Sequence, residues 1–300
     1  MDSARQRCIR STVGAVALIV VVVGAHAVQA QAPVEPSSPH SIDDTDRHAL
    51  ERGQRSFYNG EYEHAASAAQ GLCERHVDNF AACELRSASL LFQVKKALKE
   101  SAGLDRTTAW RRCTSCPALL SAFLAETARS QALARARLKV SPDDEDTLFF
   151  LGKIDLNYVW LQSGTLGRKT GWDEYWEARR SLDHVLRLNP EHVRAGVARA
   201  WVDYIVGTSI PRGVRWLLGG GNKKRGLLAV RDVVTRGGGD VFVRAEATFA
   251  LWDMQVRERE VAAAVTTART LARDFPENIE LRTFLMNHDP IPPLTVSGAP

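Results

Sequence analysis

Apolar positions along this 300-residue chain recur at intervals of three and four through most of its length, the spacing of a helix that buries one face. Few runs alternate apolar with polar residues, so the pattern predicts helices and no substantial sheet. Three apolar-periodic stretches end in similar punctuation: Lys139-Val-Ser-Pro142-Asp-Asp, Leu188-Asn-Pro190-Glu-His and Asp274-Phe-Pro276-Glu-Asn. Proline cannot continue a helix, and it biases the residue before it out of helical space. Each proline therefore ends one helix and, with the acidic residues behind it, starts the next.

The offsets around these turns repeat. Ala178, Leu182 and Val185 stand twelve, eight and five residues before Pro190; Ala264, Ala268 and Leu271 hold the same places before Pro276. Gly152 follows Pro142 by ten residues, as Ala200 follows Pro190. Small residues at such sites let antiparallel helices approach closely while the larger apolar ones fill the space beside them. An earlier unit fits too, with Gly53, the turn Gly60-Glu-Tyr62, Ala65 and a second turn near Val77-Asp-Asn79. This spacing resembles the tetratricopeptide repeat, a helix-turn-helix unit of about 34 residues. The resemblance covers most of residues 44 to 285 and is degenerate, with no unit carrying the full pattern. It implies an all-α, right-handed solenoid of about five antiparallel helix pairs over residues 43–286. Such solenoids bind proteins or peptides.

The ends read differently. Arg5, Arg7 and Arg10 precede an apolar run from Val13 to Val23, and small residues follow, with Val28 and Ala30 two apart. This is the layout of a secretory signal peptide, residues 1–30, cleaved after Ala30; the apolar run is short for a membrane span. Residues 31–42, rich in Pro, Ser and Ala, read as a flexible linker, and 287–300 as a disordered tail. The mature chain is expected to be soluble and exported, periplasmic or otherwise extracytoplasmic. Charge adds little: cleavage removes three of the 39 basic residues and one of the 35 acidic ones, leaving a near-neutral chain with no signal for nucleic-acid binding.

Unit lengths deviate where function could sit. In three units extra residues fall between the first and second helix, so the solenoid carries three loop insertions along one edge, a frequent binding face. The first holds Arg106, Trp110, Arg111, Arg112 and Cys113-Thr-Ser-Cys116. The second holds Arg168, Lys169, Trp172 and Trp176, and the third Arg212, Arg215, Trp216, Lys223, Lys224 and Arg225, with no acid in the third. Arginine offers a planar fork for carboxylate or phosphate, and tryptophan gives flat apolar area. These residues form the expected basic, aromatic surface for a partner protein, or alternatively for a small anionic ligand bound by an accessory or receptor component. The competing structural reading is that the tryptophans pack the inserts onto the solenoid while the charges are solvated.

No catalytic constellation is legible, and neither cofactor nor metal is expected. The runs Gly219-Gly-Gly-Asn-Lys223 and Gly167-Arg-Lys-Thr170 lack the Gly-Lys-Ser/Thr ending of a phosphate loop. The four cysteines of the mature chain suggest disulfides in an oxidising compartment. Cys73–Cys83, flanking one interhelical turn, and Cys113–Cys116 are the favoured pairs. The spacings are not those of zinc fingers, Pro117 stands where haem attachment needs histidine, and no thioredoxin-like strands surround the Cys-x-x-Cys pair.

Overall fold

The computed structural model describes residues 44–100, 106–209, 212–237 and 239–289. The expected signal peptide and linker, residues 290–300, and the side chains of Arg106 and Arg212 lie outside what is described. Helices α1 (Asp44–Tyr58) and α2 (Tyr62–Arg75) form the first pair, and α3 (Phe80–Glu100) and α5 (Cys116–Val140) the second, with α4 (Arg106–Arg112) between them. The third is α6 (Glu145–Val159) with α7 (Trp172–Leu188); the fourth is α8 (Val193–Ser209) with α9 (Lys223–Arg236). The fifth is α10 (Val241–Arg257) with α11 (Val261–Asp274), and α12 (Ile279–His288) follows it. Among the described residues there is no strand, and no helix is long and apolar enough to cross a membrane.

The turns between pairs are capped by the residues that punctuate the sequence. The carboxylate of Asp144, two residues after Pro142, accepts from the Thr147 amide at 3.0 Å, and Asn278 accepts from that of Leu281 at 3.0 Å. Asn79 and His192 do the same for Ala82 and Ala195, both at 3.1 Å. Each cap satisfies one of the N–H groups that the first helical turn leaves unpaired.

Within the pairs, the small residues do what their offsets require. A Cβ on Gly152 would stand 3.3 Å from the Ala178 carbonyl, and one on Gly226 would stand 2.5 Å from the Ala200 carbonyl. The helices of pairs three and four therefore touch at backbone distance. Ala178, Leu182, Val185, Ala264, Ala268 and Leu271 are all buried. The fold is a tetratricopeptide-like stack of helix pairs.

The stack also closes on itself. Tyr58, ending α1, lies with its ring 5.4 Å from that of Phe249 and 5.2 Å from that of Phe275. Its carbonyl accepts from the Asn278 amide at 2.7 Å. The first pair thus packs against the fifth, through residues about 190–220 positions away in sequence.

The three insertions lie between first and second helices, and they are helical rather than irregular. The first contains α4. The second begins as a π-helical turn, Trp160–Thr165, and the third holds a 3₁₀ segment, Arg212–Leu218. Helix α12 extends through His288, and Asp289 is tied to Arg269 by a two-point ion pair.

Candidate functional site

The second and third insertions are joined by helix α7. Trp172, Tyr175, Trp176 and Arg179 occupy one face of it, at i, i+3, i+4 and i+7. The Tyr175 hydroxyl donates to the Leu218 carbonyl at 2.9 Å. Arg179 donates to the same carbonyl at 2.9 Å and to that of Gly219 at 2.7 Å. These bonds fix the third insertion on the start of α7. Gly219 has φ +70°, and a Cβ there would sit 2.8 Å from the Arg179 guanidinium carbon. A Cβ on Gly207 would fall 2.4 Å from the Lys223 amide nitrogen. The glycine run serves close backbone approach, as a turn-forming role predicts.

This packing leaves an open cleft of about 590 Å³ lined by Gly207, Thr208, Arg215, Gly221, Asn222, Lys223 and Lys224. A second, of about 480 Å³, adjoins it and takes in Arg225, Leu228 and Asp232. Lys223, Lys224 and Arg225 open α9, where the helix dipole disfavours cations. Two of the three are compensated: Lys223 pairs with Glu258 at 2.5 Å and Arg225 with Asp203 at 2.8 Å. Lys224 has no carboxylate within ion-pair distance among the described residues, nor has Lys169 in the second insertion. The two insertions and the start of α9 also expose apolar side chains: Trp216 is 72% exposed, Trp172 54%, Leu217 53% and Leu228 51%.

The other expected site residues divide. Trp110 packs against the buried cluster of Leu90, Leu91, Val94, Leu120, Phe123 and Leu161, as Trp160 and Leu166 do, so the first two insertions share one apolar cluster. Trp176 packs against the core of pairs three and four. Arg111, Arg112 and Arg168 are exposed, with Arg168 donating to the Gln162 side chain at 3.3 Å. Both expected disulfides are present, each with a Cα–Cα distance of 5.4 Å. The bond engages the two sulfurs of the buried Cys73, Cys83 and Glu126 group, and Glu126 instead takes hydrogen bonds from Arg129 at 2.7 Å and Ser130 at 2.8 Å.

Sequence reading missed a charged network between the first helices. Lys153 of α6 reaches Glu246 of α10 at 2.5 Å and Glu84 of α3 at 4.0 Å. Arg194 of α8 pairs with Glu246 at 2.7 Å, and its guanidinium lies 4.7 Å from the Phe149 ring centre. Burial alone would raise the Glu246 carboxyl; Lys153 and Arg194 reverse that and hold it at about 2. Four first helices thus meet in a balanced, paired network. Close by, Asp155 is fully buried, accepts from Gln131 at 2.6 Å and lies against the Glu177 carboxyl. Burial, then the Glu177 charge, push its carboxyl up to about 9. No local spacing signals either cluster, because their members are brought together only by the stack.

No family model and no curated protein matches the sequence. Among solved structures, the chain is similar to a thermophilic tetratricopeptide-repeat protein of Thermus thermophilus. Identity is 13%, with a TM-score of 0.44 over 81% of this chain and 98% of that one.

Proposed function

We propose that this protein is an exported scaffold that binds another protein in the cell envelope, and that recognition occurs on the inserted edge. One observation carries the reading: Lys224, which has no carboxylate beside it among the described residues, and the exposed Leu228 line the two clefts, next in sequence to the third insertion with its exposed Trp216 and Leu217. Exposed tryptophan amid unpaired cations suits a partner segment carrying both acidic and apolar side chains. The inner face of the stack is a poorer candidate for an extended peptide, since the paired network and Tyr58 fill it. The disulfides and the basic-then-apolar leader support the extracytoplasmic location. A small anion held in the cleft by Arg215 and Lys224 is the second reading, favoured by the concave shape of that spot.

The test is the double variant K169E/K224E. Partner retention by the mature protein should fall sharply, and added salt should weaken the wild-type complex. Retention unchanged by the double reversal would refute the edge as the recognition surface. Loss of a bound small anion with no protein partner involved would select the second reading.

A further inference from the structure

Above the buried network, the inner face changes character. Seven residues along a helix return to the same face about 10 Å higher. Lys153 is followed at that interval by Trp160, Arg194 by Trp201 and Glu246 by Asp253, with Arg257 one turn further. On α3 the same stripe runs from Glu84 through Leu91 to Lys95. The lower layer is buried or half-buried, and paired; in the upper one Lys95 and Arg257 are exposed to solvent.

The upper layer has the chemistry of a ligand site. Trp160 and Trp201 meet edge to face at 6.0 Å, and the Arg257 guanidinium lies 5.8 Å from the Trp201 ring centre. The Lys95 ammonium stands 4.4 Å from the Phe92 ring centre. Arg257 is paired with Asp253 at 2.6 Å and Lys99 with Glu280 at 3.5 Å. Lys95 alone of these three has no carboxylate within ion-pair distance among the described residues. The Trp201 indole N–H is buried and has no acceptor among them either. Phe92 and Trp160 share their apolar cluster with Trp110 and Leu166, so the first two insertions border this layer.

We infer that the layer formed by Phe92, Lys95, Trp160, Trp201 and Arg257 is a binding site for a small planar organic anion. Its aromatic body would lie against the rings, and its charge would meet Lys95. Balanced charges elsewhere in the layer leave one net cation for one anionic group, and the rings supply the apolar area that small-molecule sites need. Desolvation draws the Lys95 ammonium below its ordinary range; Asp253 and Glu280 act against that from α10 and α12, and Arg257 and Lys99 add to it. This site is separate from the cleft at Lys224.

The test is calorimetric titration of the mature chain with benzoate, phenylacetate and indole-3-acetate, and with indole-3-acetamide as the uncharged isostere. At least one carboxylate should bind and quench tryptophan fluorescence, and the amide should bind roughly tenfold more weakly. K95Q should weaken the carboxylate by a similar factor, leave amide binding unchanged and melt as the wild type does. K224Q should bind like the wild type. The inference is overturned if none of the three carboxylates binds at millimolar concentration, or if K95Q binds as the wild type does. Equal loss in K224Q would also overturn it, by moving the anion to the cleft.

Discussion

Two charged regions of this molecule are built on opposite rules. At the inner floor, Glu84, Lys153, Arg194 and Glu246 bring two acids and two bases together out of water, each paired. At the inserted edge the bases outnumber the acids, the side chains are exposed, and Lys169 and Lys224 have no carboxylate beside them among the described residues. A buried charge without a partner costs several kcal/mol, so it is either paired or eliminated. An exposed one costs almost nothing and remains available to bind. On the proposed reading, the contrast separates charge that holds the stack closed from charge left for recognition.

Substitutions should expose that contrast in order of size. Glu246→Ala leaves Lys153 and Arg194 buried without their shared carboxylate. It should cost about 3–5 kcal/mol in urea unfolding; a cost below about 1 kcal/mol would remove the floor from the account. The disulfides come next. Replacing Cys73 and Cys83 by serine opens a loop of sequence separation 10 and should cost about 2–3 kcal/mol, more than the same change at Cys113 and Cys116, where the separation is 3. Equal losses would mean that the bonds act through local packing rather than chain entropy.

The third substitution acts through pH. Asp155 has its carboxyl raised, so its stabilising contribution is complete below its unfolded value of 3.8 and is lost as pH rises towards about 9. Asp155→Asn keeps the acceptor for Gln131 and should stabilise the protein at pH 8 by about 1–2 kcal/mol, flattening the melting temperature across that window. Glu246 works in the opposite sense: its contribution is present above 4.5 and is lost as pH falls through about 2. Smallest of all, K169E/K224E should change stability by no more than about 0.5 kcal/mol while disrupting binding. A large loss of stability there would make those lysines part of the frame.

The helix pairs were legible because their determinants are local. Pro142, Pro190 and Pro276 each act on the neighbouring backbone, and the Gly152–Ala178 and Ala200–Gly226 contacts follow from one helix hairpin. The ring closure was not, since nothing near Tyr58 in sequence announces Phe249 or Phe275. Four acids and bases that meet from α3, α6, α8 and α10 look like ordinary surface charges when read one helix at a time. The insertions were placed correctly between first and second helices, yet glycine-rich composition concealed their π and 3₁₀ turns. Tryptophan was the hardest residue to read. Trp110 and Trp176 pack into clusters while Trp172 and Trp216 remain exposed, and composition is the same for both kinds.

The most direct measurement places a photo-crosslinking amino acid at Trp216 and, separately, at Val140. Val140 is 80% exposed, close to the 72% of Trp216, but is the last residue of α5, at the end opposite the first insertion. The edge account predicts one discrete protein adduct from position 216, suppressed by K169E/K224E and by excess unlabelled protein, and none from position 140. Equal labelling from both positions, or an adduct from 140 alone, would contradict it.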